Sequence, residues 1–137
     1  MEISVLDKSN YLKGLLIIAK KDKQLAEQEK KIIRQFAEKL GFAQDFYEDT
    51  LKSLLSNKYI SEDPIIFSDK KIAESFITDG LTLAYSDNSI VGVEIEYIKS
   101  VATANQIDKN WFDEQMLHFK NSQSSVMNIE FALFSII

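Results

Sequence analysis

The sequence of 137 residues has the length of one domain and can bury a sizeable hydrophobic core. Its 45% apolar content excludes a wholly disordered chain, and its net charge of −5 argues against an extended nucleic-acid-binding surface. The absence of cysteine excludes disulfides, thiolate metal sites and cysteine nucleophiles. Because four glycines and one proline are too few for the turns of an all-β protein, we predict an all-α fold.

Three helices are predicted in the first half, where apolar residues recur at spacings of three and four. The first begins near Asp7 or Ser9, because either side chain can cap a helix. Gly41 marks the end of the second, since glycine is the usual residue just past a helix end. The predicted ranges are about 7–21, 26–40 and 43–56.

Three more helices are predicted in the second half. Ser68 can cap the first of them and Asp108 the last. Pro64 is typical of a helix start, so residues 65–67 are a candidate short helical turn, and Gly80 is a candidate bend. The predicted ranges are about 69–85, 93–105 and 108–120.

The C-terminal tail, residues 122–137, is predicted to lie outside the helical domain of residues 1–121. Its apolar residues fit a strand and a helix equally well, and both interpretations stay open. The tail can dock on the core of its own chain. If it does not, it forms an exposed apolar patch that would serve self-association or a protein partner.

Two segments 65 residues apart resemble each other. From Leu16 to Leu40 the aligned pairs include six identities in 25 positions, where random pairing would give about one or two. We therefore predict two repeats, at about 9–56 and 68–120. They would form an internally duplicated bundle of about six to seven helices with a pseudo-two-fold axis. The identical pairs are Leu16/Leu81, Ala19/Ala84, Asp22/Asp87, Glu29/Glu94, Ile33/Ile98 and Ala37/Ala102.

The repeated acids are the candidate site. Asp22 with Glu29, and Asp87 with Glu94, place an aspartate in a turn and a glutamate in the next helix. If the two pairs converge, their oxygens suit a hard cation such as Ca²⁺ or Mg²⁺. The alternative is structural, with each Asp ordering its turn and each Glu complementing a helix N-terminus. An EF-hand is excluded because both segments carry isoleucine at the twelfth loop position.

No catalytic arrangement is recognisable in the sequence, so we do not expect an enzyme. His118 is the only histidine, and no serine or aspartate around it resembles a triad. The start of the chain lacks the basic residues and apolar run of a signal peptide, and the longest apolar runs are too short to span a membrane. A cytoplasmic location is therefore expected.

The repeat resembles the TerB-like (tellurite-resistance) domain family. That family combines an alanine, an aspartate in a small-residue turn, a glutamate and a hydrophobic helix ending in Leu-Gly. The first segment carries these residues as Ala19-x-x-Asp22-x-x-Leu25-x-x-x-Glu29-x-x-x-Ile33-x-x-x-Ala37-x-x-Leu40-Gly41. The second segment carries Ala84-x-x-Asp87-x-x-Ile90-x-x-x-Glu94-x-x-x-Ile98.

The resemblance implies an all-helical, duplicated, non-enzymatic domain linked to tellurite and other stress responses. Such domains are cytoplasmic or face the cytoplasm at membranes, so peripheral membrane contact stays open. It also implies a weak divalent-cation site at the four repeated acids. The family commonly has glycine after the aspartate, whereas this chain has Lys23 and Asn88. Lysine adopts a left-handed conformation less readily than asparagine and adds a positive charge, so Asp87 with Glu94 is the stronger of the two candidate pairs. The alternative function is a protein-interaction or dimerisation module without a metal.

Overall fold

The computed structural model describes residues 2–20, 27–56, 63–85, 92–121 and 132–135. These residues form six α-helices and one short 3₁₀ helix and contain no strand, which confirms the predicted all-α class. The predicted connections that carry Asp22 and Asp87 lie outside the described residues. The helices are α1 (Val5–Lys20), α2 (Glu27–Lys39), α3 (Gln44–Ser56), α4 (Lys70–Ala84), α5 (Gly92–Ala104) and α6 (Lys109–Asn121), followed by the C-terminal 3₁₀ helix (Ala132–Ser135).

The start of α1 differs from the prediction. The helix begins at Val5, and the residue that caps it is Ser4, whose Oγ accepts a hydrogen bond of 3.1 Å from the backbone N–H of Asp7. The Ser4 hydroxyl also donates to Asp7 Oδ2 at 3.1 Å. A capping serine followed three residues later by an acid is a helix-start pattern, and it is present in the sequence.

Two predictions near α4 were wrong. The capping residue is Asp69 rather than Ser68, since the Asp69 side chain accepts the Lys71 N–H at 2.7 Å. Residues 65–67 are not helical. Their backbone is held by the side chain of Asn105, which accepts the Phe67 N–H at 2.8 Å and donates to the Ile65 carbonyl at 2.7 Å. A side-chain amide thus satisfies the backbone groups that a helical turn would have paired internally.

The helices of the two halves have matching bounds. α4, α5 and α6 begin at residues 70, 92 and 109, which is 65 residues after the starts of α1, α2 and α3 at 5, 27 and 44. This is also the offset that relates the two sequence segments. The capping residues Ser4 and Asp69 are separated by 65 residues as well.

α2 and α5 end in the same way. After α2, Gly41 N–H donates to the Glu38 carbonyl and Phe42 N–H to the Ala37 carbonyl, each at 3.0 Å. After α5, the corresponding bonds run from residue 106 to residue 103 and from residue 107 to residue 102, at 3.1 and 2.9 Å. Both ends are Schellman motifs, which need a left-handed residue. Gly41 has φ +85° and Gln106 has φ +57°.

The two left-handed residues give opposite expectations for stability. Gly41→Ala should lower the free energy of unfolding by about 1 kcal/mol, and Gln106→Gly should raise it by about the same amount, because a side chain strains a positive φ. No described atom lies within 4 Å of a Cβ built on Gly41, so crowding does not contribute to the first effect. Urea unfolding of both variants measures the difference. Equal signs for the two changes would contradict this explanation.

α1 and α4 form the centre of the bundle. α1 packs against α2, α3, α4 and α5, and α4 packs against α1, α5, α6 and the C-terminal 3₁₀ helix. Between α1 and α4 the Tyr11 ring contacts Phe76 edge-on, with ring centroids 5.3 Å apart. α4 continues through Gly80, where a bend was considered, and the missing side chain leaves room for Ile18.

The described part of the tail folds back on the bundle. Residues 132–135 form neither of the two predicted structures but a single 3₁₀ turn, which packs on α4. Leu133 is fully buried in the main core. The remaining tail residues lie outside the described part of the chain. Within the described residues, no helix combines the length and the apolar composition that crossing a membrane requires.

Candidate functional site

Of the four predicted cation ligands, only Glu94 has a described side chain. It lies in the first turn of α5 and is 2% exposed. Glu29 lies in α2, but its side chain is outside the described part, as are Asp22 and Asp87 entirely. The predicted convergence of the four carboxylates therefore lies outside the described residues.

Glu94 fits one part of a cation site. It is a buried carboxylate at the start of a helix, and it directly follows the segment that carries Asp87. Carboxylate oxygens are the ligands that Ca²⁺ and Mg²⁺ prefer. Among the described residues, no group of three or more His, Cys, Asp or Glu side chains is placed to hold a metal. A cation at Glu94 would take its other ligands from outside these residues, where Asp87 lies.

Among the described residues, the most deeply enclosed polar cluster is centred on Asp79, which is not one of the predicted site residues. Asp79 lies in α4 and is 1% exposed. Its carboxylate accepts a short hydrogen bond from the Tyr11 hydroxyl of α1. It also accepts the backbone N–H groups of Ala132 at 2.6 Å and Leu133 at 3.3 Å. One carboxylate thus joins α1, α4 and the C-terminal 3₁₀ helix.

Burial raises the pKa of Asp79 to about 7, although the hydrogen bonds from Tyr11, Ala132 and Leu133 lower it. The neutral acid is favoured because the ionised form has lost its water and the three donors only partly replace it. Burial also raises the pKa of Tyr11 well above its ordinary value, and the neighbouring Asp79 raises it further. Tyr11 therefore stays neutral and remains a hydrogen-bond donor at physiological pH.

A local pattern could have identified Asp79. It follows Phe76 by three residues and precedes Leu83 by four, so it shares their helical face. Both of these apolar residues are buried. An acid within an apolar stripe is expected to be buried with hydrogen-bonding partners. The identity of those partners is not a local property, because Tyr11 and Ala132 are 68 and 53 residues away in the chain.

A second buried carboxylate, Asp7, joins α1 to the segment before α4. It is 3% exposed and accepts the Ser68 backbone N–H at 3.2 Å, together with a short bond from the Ser68 hydroxyl. With the Ser4 hydroxyl this gives the Asp7 carboxylate three described donors. The role of Asp7 follows from these contacts: it holds the N-terminus of α1 against residue 68.

His118 lies on the exposed side of α6, where its ring meets Phe119 edge-on with centroids 5.6 Å apart. The described carboxylates with the most buried side chains, Asp7, Asp79 and Glu94, lie on three different helices. Asp79 is enclosed by protein groups that already occupy its oxygens. The Asp79 cluster is thus arranged to hold elements together and to take up or release a proton.

The described fold and this cluster define an all-helical domain with buried acids at its helix contacts. Comparison with protein-family models, with curated proteins and with solved structures gives no significant match for the chain.

Proposed function

We propose that the chain is a non-enzymatic stress-response domain of the TerB type, with a weak divalent-cation site at Asp87 and Glu94 in its second half. The observation that carries the proposal is the burial of Glu94, one of the four repeated acids, at the start of α5. Carboxylate oxygens are the ligands that Ca²⁺ and Mg²⁺ prefer. A bound cation that takes both Glu94 and Asp87 as ligands would account for the repeated Asp and Glu.

The proposal rests on an internal duplication, which two features support. The three helices of one half start 65 residues after those of the other. The same offset relates the residue pairs of the TerB-like motif, including the small residues Ala37 and Ala102, both of which are buried. A pseudo-two-fold arrangement of the halves would place α1 and α4 in equivalent positions at the centre.

Calorimetric titration with Ca²⁺ and with Mg²⁺ tests the cation site. We expect binding in the range of about 10⁻⁴–10⁻³ M, as for weak protein calcium sites, and loss of the binding heat in Glu94→Gln. Glu96→Gln is the matched control, because Glu96 lies on the same helix but is exposed. Asp87→Asn should weaken binding as Glu94→Gln does.

Helical circular dichroism of each variant without added cation separates loss of the site from loss of the fold. The cation proposal is wrong if the wild type gives neither heat nor a thermal shift at millimolar Ca²⁺ and Mg²⁺. It is also wrong if Glu96→Gln reduces binding as much as Glu94→Gln does.

One form of the alternative, a dimerisation module, uses an exposed apolar tail. In residues 132–135 the tail is packed on α4 and Leu133 is buried. These residues therefore belong to the core of the domain in the described structure, and the cation-binding domain is the function we favour.

A further inference from the structure

Among the contacts of the described residues, one polar group and one apolar side chain attach the C-terminal 3₁₀ helix to the bundle. The N–H groups of Ala132 and Leu133 are at the N-terminus of this helix and have no acceptor within it, as at any helix start. Asp79 supplies that acceptor at 2.6 and 3.3 Å. The Leu133 side chain adds the apolar contact and is fully buried.

The same turn forms part of the enclosure around Asp79. α4 carries the carboxylate, α1 contributes the Tyr11 hydroxyl, and the 3₁₀ helix contributes two backbone N–H groups. Together these elements leave Asp79 1% exposed. If the turn leaves, the carboxylate loses two donors and gains access to water. The position of the turn and the ionisation of Asp79 are therefore coupled.

Few other titratable groups act on this carboxylate. The 3₁₀ helix contains none. α1 carries the buried Tyr11 and Asp7 and the half-buried Lys8, and α5 carries the buried Glu94 and Tyr97. The described charged side chains of α6 are exposed. Of all these groups, only Tyr11 acts on the pKa of Asp79, and its hydrogen bond lowers that pKa against the larger effect of burial.

We propose that the C-terminal 3₁₀ helix is a proton-gated strap, which neutral Asp79 holds on α1 and α4 and ionised Asp79 releases. In the closed state the protonated carboxyl accepts the Ala132 N–H on Oδ1 and shares a hydrogen bond with Tyr11 through Oδ2. Ionisation places a negative charge in the enclosure, and hydration of that charge favours the open state. Opening uncovers the surface that Leu133 occupies between α4 and the rest of the core.

The direction of the pH dependence of closure follows from the balance of effects on the pKa of Asp79. Burial outweighs all three hydrogen bonds in the closed state, which raises the pKa to about 7 from an ordinary value of 3.8. Opening restores water and moves the pKa back toward the ordinary value. Between these two pKa values the closed state binds more protons than the open state does. Closure therefore weakens as the pH rises from about 4 to about 7.

Amide hydrogen exchange of the intact chain, followed by mass spectrometry and corrected for the intrinsic rate at each pH, tests the strap. Between pH 5 and pH 8 we expect protection of residues 132–135 to fall by about tenfold or more, since one proton can give up to tenfold per pH unit. The interior of α5 should keep its protection over the same range and serves as the internal reference.

Two variants separate the polar contact from the apolar contact. Asp79→Asn stands in for the neutral acid, so protection of residues 132–135 should change by less than about twofold between pH 5 and pH 8. Leu133→Ala weakens the apolar contact, so protection should be lower at every pH but keep the wild-type slope. The proposal is overturned if protection of residues 132–135 in the wild type does not change with pH or rises with pH. It is also overturned if protection in Asp79→Asn falls with pH as it does in the wild type. None of these readouts depends on a divalent cation.

Discussion

The Asp79→Asn variant is expected to be more stable than the wild type at pH 8 and about equally stable at pH 4. In the wild type, the pKa of Asp79 is raised from 3.8 to about 7 by burial. The folded state therefore binds a proton that the unfolded state has already released across this interval. Each pH unit in it costs the wild type about 1.4 kcal/mol, so an advantage of about 2–4 kcal/mol for Asn is expected at pH 8.

The sign of this effect distinguishes it from ordinary acid denaturation. Stabilising carboxylates have lowered pKa values in the folded state and lose their contribution as the pH falls. For Asp79, the favourable contribution is fully present below about pH 4 and is lost as the pH rises to about 7. Urea unfolding of both proteins from pH 4 to pH 8 gives the difference directly, because all other groups are shared. A constant difference across this range would contradict the raised pKa.

The second large effect is expected at Gly14, where α1 approaches α4 most closely among the described glycines. A Cβ at this position would lie 2.5 Å from two ring atoms of Phe76 and 3.2 Å from Ile65 Cδ1. The Phe76 ring is fully buried and contacts the rings of Tyr11 and Phe67, each at a centroid distance of 5.3 Å. It therefore has little room to move away.

Gly14→Ala should lower the free energy of unfolding by about 2 kcal/mol. In an exposed helix the same change would stabilise by about 1 kcal/mol. Here overpacking, which costs about 1–3 kcal/mol in a dense core, outweighs that gain. Denaturant unfolding measures the effect. Gly80→Ala is the matched control and should cost less, because the nearest atom to its Cβ would be the flexible end of Ile18, at 3.0 Å, and Ile98 would lie at an ordinary contact distance of 3.5 Å.

A double-mutant cycle with Phe76→Leu identifies the cause. The smaller side chain removes the ring atoms that the new methyl group would meet, so Gly14→Ala should cost nothing or stabilise in that background. A coupling free energy of about 1 kcal/mol or more is expected for residues in direct contact. Additive effects would show that the loss at Gly14 has another origin.

Most helix positions could be predicted because they depend on local patterns. Apolar residues at spacings of three and four located α2 to α6 to within one residue at either end. Gly41 was predicted as the end of α2, and the structure places it there with a positive φ. Two local signals were misread. The Ser4 and Asp7 pair, which starts α1, was passed over, and Pro64 was taken for the start of a short helical turn although residues 65–67 are not helical.

The candidate site was less accessible from the sequence. Glu94 was selected because it belongs to a repeated pair, and its burial supports a role without naming a ligand. Asp79 has no counterpart in a repeat, since residue 14 is a glycine. Its position on an apolar helix face could be predicted from the sequence. Its partners could not, because they come from α1 and from the C-terminal 3₁₀ helix, which are distant in the chain.

The sequence by itself determined the all-α class, the helix positions and the 65-residue offset between similar segments. Each of these depends on neighbours within one or two helical turns or on direct comparison of residues. Only the tertiary structure decided that Asn105 holds residues 65–67 and that Asp79 holds the C-terminal turn. These contacts join residues about 40 and 50 positions apart. They exist because packing of the helices buries polar groups that must find acceptors and donors wherever the folded chain supplies them.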